Sequence, residues 1–357
     1  MATANQTAQG PPQLRIRVDG SELSPQAAAD VTAVSITEDL EAPAMFAIEM
    51  LNWDAAKLQM KWSDQDLFKP GKSTEVEMGY GDQRGTLISG ETTGLELSIH
   101  GDVSPRLVIR GYDRGHRLLR GRKTMSYTNV KDSDIASQIA SDAGLSADVE
   151  DTSTTYPYVL QHNQSDFNFL RERAARIGFE VRVQDKKLIF RARKNQGQEA
   201  LTLSREANLL EFYPRLTVVN QVGGISVRGW DPKQKQKITG EAKASGISNK
   251  MGASNAGPSL ANTAFSETHA SSVDRPISSQ GEADKLATSL LDTVALSHIT
   301  GDGVCVGRND LRAGILIKFE GLGTRFSGQY YVTSAIHRYT PQKGYRTEFC
   351  VERNASG

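Results

Sequence analysis

Gly71-Lys72-Ser73-Thr74 comes nearest to a chemical motif, because it imitates the end of a phosphate-binding P-loop. Such a loop needs another glycine five places earlier so that its amides can wrap a phosphate. Asp66 stands there instead, and Pro70 removes an amide where one should point inward. The stretch reads as a turn before a strand. Gly79-x-Gly81 opens no helix, so a dinucleotide fingerprint fails too. The histidines at 100, 116, 162, 269, 298 and 337 are scattered, without H-E-x-x-H or cysteines at ligand spacing. No G-x-S-x-G marks a nucleophile elbow, and Cys305 between Val304 and Val306 looks like strand core. Asp148, Glu150 and Asp151 offer paired carboxylates, but a chain with 24% charged residues supplies those in any loop. The expectation is therefore no catalytic residue, no cofactor-binding residue, no metal ligand and no enzyme.

One basic run stands out: Arg110, Arg114, His116, Arg117, Arg120, Arg122 and Lys123, with Asp113 its single acid. It reads as a patch facing a lumen or partner, or as junction charges that pair with acids of neighbouring subunits. Tyr112 is its single aromatic, which gives little for stacking on bases. Trp53 and Trp62 flank a short helical candidate, Asp54–Trp62, and read as core anchors.

The chain holds 357 residues with 42 Lys+Arg against 42 Asp+Glu. Zero net charge argues against a dedicated nucleic-acid binder. No apolar run is long enough to span a bilayer, and the first dozen residues lack the pattern of a signal peptide. Two lone cysteines suggest a reducing compartment, so the expected location is the cytoplasm.

Hydrophobic alternation places the elements. Leu14/Ile16/Val18, Phe46/Ile48/Met50, Val76/Met78/Tyr80, Leu95/Leu97/Ile99 and Leu107/Ile109 each read as strands, divided by glycine turns. This makes 13–119 one β domain behind a disordered leader, 1–12. Helical spacing then appears at 133–143 and at 166–177, the latter with Arg171, Glu172, Arg173 and Arg176 on its polar face. With a hairpin from Phe179 to Ala192, residues 120–205 form a small α+β domain. Strands resume over 206–240 as the start of a second β domain. The Ala/Ser/Gly-rich segment 241–278 carries too few large apolar residues to offset its ordering entropy and reads as flexible. Ser279-x-x-Glu282 caps a helix over 279–300, with Gly301-Asp302-Gly303 as its stop, and 301–357 complete the second β domain.

Two segments echo each other. Met78–Arg110 and Phe319–Arg353 both run strand, Gly-x-Gly turn, Ser-Gly, strand, glycine turn, strand. Two copies of one β module per chain would let three chains present six near-equivalent modules.

A family resemblance fits this organisation. Gly111-Tyr-Asp-Arg-Gly-His-Arg-Leu-Leu-Arg120, Asp132-Ser-Asp-Ile-Ala and Gln161 through Gly178 resemble the late control D family. So do Leu67-Phe-Lys-Pro-Gly71, Ser327 to Val332 with His337, and Tyr345 to Phe349. These are baseplate hub proteins of contractile phage tails and injection systems, similar to the N-terminal hub part of type VI secretion spike proteins. The resemblance implies a mainly β fold with α+β insertions: two related tube-like antiparallel β-barrel domains plus the small α+β domain. It implies a homotrimer with pseudo-six-fold symmetry, a structural adaptor joining a six-fold inner tube, or its initiator, to a three-fold spike. It further implies contacts with other baseplate subunits, cargo or DNA in the lumen, and a spike made as a separate polypeptide. The alternatives are a peptidoglycan hydrolase carried by the particle and a carbohydrate-binding β module.

Overall fold

The computed structural model describes residues 10–81, 83–231 and 234–357. The first nine residues of the expected leader lie outside the described ones, and Pro12 already opens a strand. The first module has β1 (Pro12–Val18), β2 (Val31–Asp39), β3 (Met45–Leu51), β4 (Ser73–Tyr80), β5 (Gly85–His100) and β6 (Val103–Asp113). They pair in the spatial order β2-β3-β6-β5-β4-β1, all antiparallel. Ile16, Val34, Ile36, Phe46, Ile48, Val76, Met78 and Ile109 form the module's buried core. Period-two alternation is what turns these residues to one face. The alternation of β2 is broken by a bulge between Val31 and Ala33, which hides this strand from a periodicity reading.

The expected helix Asp54–Trp62 is instead a hairpin of Trp53–Asp54 with Gln59–Met60. Asp54 accepts hydrogen bonds from the amides of Ala56 and Lys57 at 3.0 and 3.1 Å, and Leu58 takes a positive φ. That side-chain-capped turn competes with helix.

The α+β body follows, with β7 (Lys123–Lys131), α1 (Asp132–Asp142), β8 (Ser146–Val149) and β9 (Thr155–Gln164). It continues with α2 (Asp166–Ala175), β10 (Phe179–Gln184) and β11 (Lys187–Ala192). Ser165 caps α2 by accepting from the Asn168 amide. Arg173 and Arg176 do not sit on an exposed face. Arg173 is buried against Asp132 at 2.6 Å, and Arg176 against Glu282 at 2.7 Å.

Next come β12 (Leu201–Ser204) and β13 (Leu209–Leu216), both in the main sheet, so that β12 leaves the α+β body expected to run to 205. A second inserted body then carries β14 (Gly224–Asp231), β15 (Gln236–Lys243), α3 (Gly257–Phe265), β16 (His269–Ser272) and α4 (Gln280–Leu296). Of the described residues in 206–240, only β13 joins the main sheet; β14 and β15 form a separate sheet with β16. The segment expected to be flexible, 241–278, is built into this body. Ile247, Met251 and Ile277 are buried, and its small residues permit close packing, as at Gly257 beside His298.

The second module closes with β17 (Ile299–Val306), β18 (Leu316–Glu320), β19 (Gly328–Thr340) and β20 (Gly344–Arg353). Gly301-Asp302-Gly303 does not stop α4, which ends at Leu296, but lies inside β17. A Cβ at Gly301 or Gly303 would collide with the ring of Phe212 or Phe349. Aromatic packing, not a turn, requires these glycines.

Arg176 and Glu282 join the two inserted bodies through a buried pair. Breaking such a pair leaves an uncompensated charge in a dry site. Arg176→Ala is expected to cost about 3 kcal/mol in urea unfolding, with much of the loss recovered in Arg176→Met/Glu282→Leu. Equal stability of the single variant and the wild type would contradict this.

Candidate assembly interfaces

The motif-like residues land on structural duties. Gly71 donates to Thr92 O, the Ser73 amide to Asp19 Oδ1, and Lys72 pairs with Asp19 at 2.6 Å, so amides that a phosphate would need are already used. Glu150 accepts from the Ala192 amide and Asp151 pairs with Lys131. Cys305 is buried, which pushes its thiol up to about 12. Among the described residues, no three His, Cys, Asp or Glu side chains gather as metal ligands. The basic run pairs mostly with acids of its own chain. Arg110 binds Glu96, Arg114 binds Asp185, His116 and Arg117 share Glu91, and Lys123 binds Asp166.

What the fold builds with most care is a seam between its two halves. The second module repeats the strand order of the first, as β13-β17-β20-β19-β18-β12. The bonds repeat as well. Gly71 N donates to Thr92 O at 2.8 Å, and Thr92 N to Lys72 O at 2.9 Å. In the second module Gly314 N donates to Val332 O at 2.8 Å, and Val332 N to Ile315 O at 3.0 Å. Gly71 and Gly314 both hold positive φ, a conformation that glycine adopts without strain. Each strand then bulges at a threonine: Thr93 Oγ1 donates to Arg110 O, and Thr333 Oγ1 to Cys350 O. This register pairs Thr93 with Thr333, so the Ser-Gly steps of the sequence echo are not equivalent. Gly90 lies within β5, whereas Gly328 begins β19.

Beyond its bulge, β19 leaves β18 and takes β2 of the first module as partner, from Ser334↔Asp39 to Tyr339↔Val34. Arg312 bolts this seam. It donates to Glu38 Oε1 and Oε2 at 2.7 and 2.9 Å and also to Leu87 O. Burial lowers the guanidinium pKa, but the Glu38 carboxylate outweighs burial and raises it overall. Asp113 accepts from the Ala44 and Gly115 amides at the same junction, and burial pushes its carboxyl up to about 7.

The equivalent strands elsewhere lack that partner. Among the described residues, β5 beyond Thr93 pairs only with β6, and β13 pairs only with β17. Both open edges expose large apolar side chains: Leu97 and Ile99 (63% exposed) on β5, Leu210 and Tyr213 (64%) on β13. Pro214 belongs on such an edge. The Thr217 amide bonds His298 O, so alternation turns the Pro214 nitrogen to the open side. No residue-type motif announces these edges; their signal is apolar residues on strands with one partner.

A family model described as the Alg8 N-terminal domain matches residues 9–341. The chain belongs to that family. No curated protein matches it in sequence. Among solved structures, it is similar to the 43 kDa tail protein of prophage MuSo2 from Shewanella oneidensis. That match has a TM-score of 0.72 and 13% identity, and covers 96% of this chain and 98% of that one. A tail protein from Neisseria meningitidis MC58 gives 0.68 at 13% identity, with 96% and 97% covered. An E. coli component of the type VI secretion system, described as structurally similar to T4 tail proteins gp27 and gp5, gives 0.60 at 14% identity, covering 95% and 77%. The mainly β fold is thus one that phage tail and type VI secretion proteins share, as the resemblance implied.

His337 lies in the seam strand, fully buried. Its Nδ1 meets the Tyr345 hydroxyl at 2.8 Å and Thr347 Oγ1 at 3.2 Å, while Nε2 has no partner among the described residues. Burial, aided by the charge of Arg312, pushes its pKa down to about 3 from 6.5. The unfolded chain therefore takes up a proton below pH 6.5 that the folded chain refuses. Stability is full above that pH and falls towards pH 3, at a limiting slope of about 1.4 kcal/mol per pH unit. His337→Gln should lose this component between pH 6 and 4; parallel pH profiles for variant and wild type would contradict it.

Proposed function

We propose that the chain is a non-enzymatic structural subunit of a contractile-tail or injection-system baseplate, and that three copies close into a ring between a six-fold tube and a three-fold spike. The observation that carries this reading is the seam and its unfilled counterpart. Inside one chain, β2 completes the bulged strand β19. The equivalent open strand β13 would complete β5 of the next chain in the same way, so modules alternate around the ring. Such closure removes both edges and covers Leu97, Ile99, Leu210 and Tyr213. Pro214 costs that ladder one donor, which leaves apolar contact as the larger share of the interface.

The ends of the strands support the two symmetries. The hairpin turns β5–β6 and β19–β20 both lie at the rim where β2 begins and β3 ends. Each chain thus offers two near-equivalent turns there, six in a ring of three. At the opposite rim β6 leads into the α+β body and β13 into the second inserted body. Arg176–Glu282, Ser289 with Ala175 O, and Lys285 with Thr154 weld these bodies into one. That rim carries one body per chain, three per ring. Among the described residues no helix is long and apolar enough to cross a membrane, and the reading places the chain in a cytoplasmically assembled particle.

Sedimentation of the wild type is expected to give a trimer, with Leu97→Lys/Tyr213→Lys monomeric at unchanged far-UV circular dichroism. A wild type that stays monomeric, alone and with the spike protein, would overturn the ring.

A further inference from the structure

The body inserted between β13 and β17 has no counterpart in the first module, where β2 and β3 are joined by residues 40–44. Its sheet turns one face inward: Val227 and Ile238 pack with Leu286 and Ala287 of α4, and Gly229 lies against Ile277. Alternation then places Ser226, Arg228 and Trp230 on the outer face. Pairing sets Lys237 opposite Trp230 and Thr239 opposite Arg228. Trp230 is 53% exposed, and Val273, just after β16, is 70% exposed. Arg228 and Lys237 make no ion pair among the described residues.

A tryptophan held out of its own core, with two unpaired cations beside it on a rigid sheet, has the composition of a binding hot spot. Isolated exposed aliphatics need no such explanation; a tryptophan flanked by unpaired cations is a stronger signal. Lys243 extends the same row, and Glu241 is the one acid in it, so the face is net positive and complements an acidic partner. A lipid surface fits less well. One tryptophan and one valine on a flat sheet give far less apolar area than the continuous stripe with which interfacial elements enter a bilayer. The face occurs once per chain, so a ring of three presents three copies with three-fold symmetry, and simultaneous engagement would strengthen a modest single site.

We propose that the outer face of β14 and β15, centred on Trp230 with Arg228 and Lys237, docks an acidic surface of the three-fold spike subunit. This rests on the ring reading above and names the surface that reading leaves open. The test uses the full-length chain, the purified spike protein of the same particle, and anionic phosphatidylserine vesicles as a separate arm. Trp230→Ala is expected to weaken spike binding about 30-fold, the loss of one hot-spot residue. Arg228→Glu/Lys237→Glu should weaken it too and flatten its salt dependence, and this surface double variant keeps the test open if Trp230→Ala folds poorly. Tryptophan emission should shift to the blue and lose acrylamide quenching on binding, but not in Trp230→Phe. Variants that sediment as trimers yet bind spike like the wild type would overturn the docking face and leave the ring intact. Vesicle binding that protects Trp230 while spike does not would also overturn it. A wild type that binds spike through Trp230 but never forms trimers would instead overturn the ring.

Discussion

An unpaired strand edge governs this structure. A sheet that ends in open amides and carbonyls is a template for the next strand, and proteins must pair, cover or blunt it. Within this chain the problem is met once, where β2 closes on β19. The same module geometry recurs, with the same paired backbone bonds and the same bulged threonine, but there no closing strand is present among the described residues. Arg312, Glu38 and a ladder of residues hold one seam, while the equivalent edge is left apolar and open, as one half of the repeating contact proposed for the ring would be.

Buried charge fixes the bodies in relation to that seam. Arg312–Glu38 joins the modules, Asp132–Arg173 locks α1 to α2, and Arg176–Glu282 ties α2 to α4. Well-packed apolar residues would hold as firmly, since desolvation offsets much of the Coulomb gain. A charged pair differs in tolerating no other register: a partner displaced by one turn leaves a bare charge in a dry site. The price is visible in Arg176, whose Nε lacks a partner among the described residues.

Much of this was legible in the sequence. The strand alternations, the two helices of the α+β body and the duplication all leave periodic signals that local physics preserves. Ser279 caps α4 as expected, although Glu282 reaches the Ser278 amide and Arg176, not its own cap residue. Apart from the Asp54 turn and the bulge in β2, which are local, the misses share one cause, tertiary contact. Arg173 and Arg176 look like a solvated stripe until acids from distant segments meet them. Gly301 and Gly303 look like a stop signal until aromatic rings from β13 and β20 lie across them. Residues 241–278 look too poor in apolar bulk to order, yet small side chains let backbones approach closely where a larger partner supplies the core. The open edges carry no motif at all, because an edge is defined by which strand is absent.

The duplication is imperfect at one place, and the place is instructive. β1 pairs antiparallel with β4, whereas β12 pairs parallel with β18. A long link with its own short helix, residues 19–30, carries the chain from β1 to β2, while residues 205–208 must turn directly from β12 into β13. The short link reverses the direction from which the strand enters. This loss of symmetry falls on the strand farthest from β2 and β13, the strands that make or would make the seam. Equivalence is kept at the seam strand and its counterpart and abandoned at the strand farthest from them, which is the pattern expected if symmetry has been held by assembly and not by the stability of each module alone.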